Sequence, residues 1–119
     1  MNLEQLKQKG AFVSLAPVAK EIVWKHKDPE TGEEMEDTLT IHVRRLSAGA
    51  IEVMREGLKK VEGEGGSRNA AMVAHFVCLG EDGKESLTYD QAFSLVESLS
   101  NAMLLALIEV NRLGGDPKN

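Results

Sequence analysis

The sequence predicts an α+β domain dominated by helix, with an N-terminal β-hairpin followed by three helices, the last of them long and C-terminal. Three patterns carry that expectation. Between Val18 and Arg44, β-branched and apolar residues alternate with polar ones. From Ala50 to Val61, apolar residues recur at three- and four-residue steps. From Ala92 to Leu113, a stripe of the same spacing runs unbroken. Alternation by two places one face of a strand inward, and steps of three and four place one stripe of a helix inward.

In chain order, Leu3 to Lys9 suits a short helix ended by Gly10, after which Phe12, Val13 and Leu15 lead to Pro17. Val18, Ile22 and Trp24 then fall at even spacing up to His26, and Leu39, Ile41 and Val43 alternate with Thr38, Thr40 and His42 across Asp37 to Arg44. These are the strands of the hairpin. The turn falls at Asp28-Pro29-Glu30-Thr31-Gly32, where proline fixes one backbone angle and glycine permits a positive φ.

Ser47 has the position of an N-cap for a helix from about Ala48 to Lys60, whose inward stripe is Ala50, Ile51, Met54, Leu58 and Val61. Glu62-Gly63-Glu64-Gly65-Gly66-Ser67 reads as a flexible connector, because each glycine adds backbone entropy that a helix would have to remove. Arg68 to Leu79 is spaced for a second helix, although Phe76-Val77-Cys78-Leu79 would also suit a short strand. Thr88 with Gln91 matches a capping box, and Gly114-Gly115 with Pro117 supplies a stop. Between them the sequence predicts one helix from Thr88 to Leu113, about 39 Å long at roughly 1.5 Å per residue. Residues 1–113 therefore form a single predicted domain, with 114–119 a flexible tail.

Within that last helix, Ala92, Val96, Leu99, Met103, Ala106, Val110 and Leu113 are assigned to the domain core. Leu104, Leu105 and Ile108, and also Phe93, project away from this stripe. Either the neighbouring elements wrap the helix completely, or these four residues form a partner-binding surface. An exposed contiguous apolar patch usually marks an interface.

Composition narrows the function classes. A formal charge of −5 and a pI near 5.2 argue against nucleic acid as a partner, since that affinity rests on clustered Lys and Arg. The basic pairs Arg44-Arg45 and Lys59-Lys60 are too short to reverse this. Hydrophobic residues make up 42%, but aromatics are limited to one Trp, one Tyr and three Phe, so the core is expected to be mainly aliphatic. Cys78 is alone in an apolar setting, which suits a buried thiol in a reducing compartment. No signal-peptide pattern opens the sequence and no apolar run approaches the roughly 20 residues that span a bilayer, so a soluble protein without membrane contact is expected.

No constellation carries catalysis or a cofactor. His26, His42 and His75 are too dispersed for a metal motif. The Gly63 to Ser67 run lacks the Gly-Lys-Ser/Thr ending of a phosphate loop. Glu30, Glu33, Glu34, Glu36 and Asp37 lack the ligand order of a calcium loop and read as a solvated acidic loop. Neither Ser14 nor Cys78 has the setting of an activated nucleophile. A non-enzymatic interaction protein is expected, with no metal and no cofactor.

Several short phrases resemble the tail assembly chaperones of long-tailed bacteriophages. They are Val43-Arg44-Arg45-Leu46-Ser47-Ala48, the Ala70 to Val77 segment, Glu81-Asp82-Gly83 followed by Leu87-Thr88-Tyr89-Asp90, and Ile108-Glu109-Val110-Asn111. The resemblance runs from about Leu39 to Leu113. It implies a helper in the host cytoplasm that coats the long helical tape measure protein, keeps it soluble during tail morphogenesis and is absent from the mature virion. Because many weak copies along one long partner give avidity, self-association into a homo-oligomer is expected as well. In many relatives a programmed frameshift adds a second domain that engages the tail tube protein. Pro117-Lys118-Asn119 is encodable by a slippery A-AAA-AAC heptamer if the codons are CCA-AAA-AAC. The alternative is a small structural or adaptor protein retained in a phage assembly.

Overall fold

The computed structural model describes residues 1–62 and 66–115. The middle of the predicted connector and the residues Asp116 to Asn119, which include the slip-site positions, lie outside them. So do the side chains of Val61 and Leu113.

Helix α1 (Leu3–Gln8) is closed at its start by a capping box between Asn2 and Gln5. Strands β1 (Val18–Lys27) and β2 (Glu34–Val43) form the expected hairpin. Asp28 organises the turn, its Oδ1 accepting from the backbone N–H of Glu30 at 2.7 Å, and Gly32 takes the positive φ of 76° that the turn needs.

Strand β2 starts three residues before the predicted Asp37, so most of the expected acidic loop is strand. Registration explains the extension. Lys25 stands opposite Glu36 and Lys27 opposite Glu34, and opposite charges across a strand pair favour pairing where β propensity alone is poor.

Helix α2 (Ala48–Glu62) begins at the predicted cap, with Ser47 Oγ accepting from Ala50 N–H at 3.1 Å. Met54 is buried, and Ala50, Ile51 and Leu58 pack against the core from its margin. Helix α3 (Arg68–Phe76) is capped by Ser67, whose own N–H donates to the Tyr89 hydroxyl at 2.7 Å.

The chain then leaves the helical path. Val77–Leu79 is strand β3 and Glu85–Ser86 is β4, completing an antiparallel sheet in the order β1-β2-β3-β4. The expectation of helix to Leu79 is thus corrected: Val77 pairs with Val43, and Arg44 N–H donates to the Phe76 carbonyl at 2.8 Å. Pairing with β2 outweighs the helical spacing. Glycine is required in the β3–β4 turn, because Gly83 has φ +69° and a Cβ there would lie 2.6 Å from His42 Cγ.

The single long helix of the sequence reading is two helices, α4 (Tyr89–Phe93) and α5 (Glu97–Gly115). The Thr88–Gln91 capping box starts α4 as expected. Ser94 closes it, with its N–H shared between the carbonyls of Asp90 and Gln91, and the Val96 carbonyl accepts the first bond of α5 from Ser100. Serine competes locally for backbone bonds and valine loses rotamer freedom in a helix, so the break falls at a weak point. It lets Leu95 turn toward the core while α4 packs on α3. Five helices and four strands are therefore present among the described residues, in place of a short N-terminal helix, a hairpin and three helices.

The core lies between the inner sheet face and helices α3 and α5. Ile22, Ile41, Val43 and Val77 meet Phe76, Met103, Ala106, Leu107 and Val110 there. Of the predicted stripe, Ala92, Met103, Ala106 and Val110 are buried and Leu99 is half-buried, but Val96 is exposed beside the break. Leu107, outside that stripe, is fully buried.

Helix α5 lies along β1 through two polar contacts: Trp24 Nε1 donates to Ser98 Oγ at 3.0 Å, and Lys20 Nζ pairs with Glu109 at 3.0 Å. Asn111 ties the β2–α2 connection to the same helix, accepting from Leu46 N–H at 2.7 Å while donating to the Leu107 carbonyl.

Candidate partner-binding surface

At 100° per residue the buried residues of α5 occupy one arc, and Glu97, Asn101, Leu105, Ile108 and Arg112 occupy the opposite one. Polar side chains there are expected. Leu105, 62% exposed, and Ile108, 53% exposed, are not. They sit three residues apart and so stand together on one face.

Phe93, 59% exposed, occupies the end of α4, its ring tilted against Tyr89 at 5.9 Å. Val96 adds a further exposed apolar group at the junction. Leu104 stands apart from these: it is half-buried at the flank of α5 and packs against the core. Its neighbours in the fold already occupy most of it.

A second apolar region is the N-terminal segment, residues 1–17. None of the residues of α1 is buried. Leu3, Leu6, Phe12 and Leu15 are all exposed, Leu15 at 86%. The signal was present in the sequence as two apolar pairs at three-residue spacing, but nothing in the spacing said that no other element would cover them.

Two depressions lie elsewhere. A shallow apolar groove of about 290 Å³ between α2 and α3 is lined by Val53, Met54, Gly57, Leu58, Ala71 and Ala74, among others. A larger one of about 570 Å³ lies at the far end of the hairpin, against Lys25, His26, Glu34 and Glu36. There His26 is stacked on Trp24 with ring centroids 3.8 Å apart, and its Nε2 lies 2.6 Å from Asp37 Oδ2. That contact ties one strand of the hairpin to the other.

The three histidines line separate depressions. No group of three or more His, Cys, Asp or Glu among the described residues is placed to hold a metal ion. No helix among them is long and apolar enough to cross a membrane. Cys78 is buried, as its apolar setting suggested, with its sulfur 4.0 Å from Ser86 Oγ.

His75 titrates abnormally. Burial, and after it the nearby Arg44 guanidinium, hold its pKa below the ordinary 6.5. The fold therefore prefers the neutral ring, and the unfolded chain takes up a proton first as pH falls. This contribution to stability is complete above pH 6.5 and is lost as pH drops from there through the folded-state value. Melting curves between pH 8 and 5 should show a falling midpoint below about 6.5, and His75→Gln should reduce that fall. An identical pH profile in the variant would contradict the assignment.

The fold and these surfaces define a small α+β interaction protein whose unusual features are exposed apolar side chains on α1 and on the α4–α5 face. Residues 4–111 match the family model of the phage tail assembly chaperones, and the chain belongs to that family. The match begins well before Leu39, so it includes α1 except Leu3, and the whole hairpin. No curated protein and no solved structure matches the chain. Chaperone families of this kind are not known as enzymes.

Proposed function

We propose that this chain binds the tape measure protein in the host cytoplasm, keeps it soluble while the tail is built, and leaves before the virion is complete. The observation that supports this most directly is the pair Leu105 and Ile108, exposed on a helix whose other outward residues are polar. An apolar helical partner is recognised by such a face in the helix-in-groove manner. Many copies along one long partner give avidity without tight single sites.

The chain acts in this reading by binding alone, without catalysis or cofactor. It self-associates, and a frameshifted longer form engages the tail tube protein. Co-expression tests the central claim. The tape measure protein should move from the pellet to the soluble fraction when this chain is made with it, in a complex holding several copies per tape measure chain. A tape measure protein equally insoluble with and without the chain would refute the reading. Mass spectrometry of purified virions should lack the chain; its presence there would favour a structural adaptor.

A further inference from the structure

We propose that the N-terminal segment, residues 1–17, is an exchange arm that docks on the α4–α5 face of a second copy of this chain. The inference rests on the self-association proposed above and assigns a surface to each side of it.

The arm is apolar where it has no contacts. Leu3 and Leu6 lie three apart on α1, Phe12 and Leu15 lie three apart beyond it, and all four face solvent. On the second copy, Phe93 lines one depression with Glu97 and Asn101 of the outer arc of α5, and Leu105 and Ile108 stand exposed further along that arc. Between Leu6 and Phe12 the arm is compact, the Ala11 N–H donating to the Leu6 carbonyl at 3.0 Å, so it docks as a folded unit.

Charge and area agree with this pairing. Lys7 and Lys9 outnumber Glu4 on the arm, whereas Asp90 and Glu97 outnumber Arg112 on α4 and α5, Glu109 being paired with Lys20. A basic arm thus meets an acidic rim. The seven apolar side chains expose roughly 750 Å² together, and a reciprocal exchange would cover up to roughly 1,500 Å², within the range of a standard stable interface. Because arm and tape measure would occupy the same face, a bound tape measure segment displaces the arm.

Single-cysteine pairs in the full chain test this. Leu6→Cys in an affinity-tagged copy and Leu105→Cys in an untagged copy are mixed under mild oxidation. Leu6 lies on a helix with no buried residue, and the native Cys78 is buried and does not compete. The mixture should yield tagged–untagged covalent dimers as the main product. Leu6→Asp with Phe12→Asp should weaken the dimer by about 100-fold or more in light scattering. A Leu105–Leu105 crosslink without the mixed product would show that the face pairs with itself and would overturn the arm while leaving self-association intact. A closed monomer from the Leu6→Cys/Leu105→Cys double variant would place the arm on its own chain and overturn the exchange. A wild-type chain that stays monomeric at all concentrations would overturn both this inference and the proposed self-association.

Discussion

Phe76→Ala should lower the thermal midpoint by about 10–20 °C, from the loss of roughly 3–5 kcal/mol of stability. Phe76 has no exposed surface and is the largest of the fully buried side chains. It ends α3, and its carbonyl receives the Arg44 N–H where helix passes into β3. Around it the core is otherwise mostly aliphatic, with Val43, Val73 and Val77 among the fully buried side chains. These short β-branched groups cannot swing into the space that a missing ring leaves, so the cavity term adds to the lost transfer energy. A domain of this size holds only about 5–15 kcal/mol in all. Phe93→Ala is the matched control, because that ring is mostly exposed and its loss should change stability by about 0.5 kcal/mol or less. Melting curves followed by circular dichroism separate the two. Equal midpoints for both variants would mean that Phe76 does not hold the core as described.

The contrast between these two rings also marks how far the sequence could be read. Strands β1 and β2 were legible because alternation is a local signal, and the Asp28 to Gly32 turn has a chemistry of its own. The caps Ser47 and Thr88 were legible for the same reason. The break at Ser94 to Val96 was not, because the stripe from Ala92 through Val96 to Leu99 continues across it without a missed step. Only packing of α4 on α3 decides that the chain bends there. Val77-Cys78-Leu79 is an apolar run that suits a helix or a strand alike, and its pairing with β2 is a long-range fact. On α5, Leu107 is buried beside the predicted stripe and Leu104 is half-buried at its flank, because the sheet and α3 cover a wider arc than a stripe of four- and three-residue steps marks. Leu105, Ile108 and Phe93 were placed correctly as outward-facing residues, yet exposure alone does not name what they bind. The exposure of the N-terminal arm is illegible for the opposite reason: its leucines look like ordinary core candidates until the fold leaves them uncovered.

Leu105→Asp with Ile108→Asp should abolish solubilisation of the tape measure protein and leave the fold intact. Both side chains are more than half exposed in the free chain, so the substitutions remove little packing. The lower helix propensity of Asp and the repulsion between two new charges three residues apart cost about 1–1.5 kcal/mol together. Binding pays far more. Each aliphatic side chain buried against a partner contributes about 1.5–3 kcal/mol, and a carboxylate placed in the same contact must also be desolvated. The combined loss is at least about 4 kcal/mol per copy, roughly a thousandfold in affinity, and it recurs at every copy along a long partner. Leu104→Asp gives the discriminating comparison. Leu104 packs against the core, so its replacement should reduce the helical signal and the melting midpoint as well as binding. The double variant should instead melt within a few degrees of the wild type and still leave the tape measure protein in the pellet on co-expression. A double variant that keeps the tape measure protein in solution would remove Leu105 and Ile108 from the binding surface, and the apolar groove between α2 and α3 would become the next place to test.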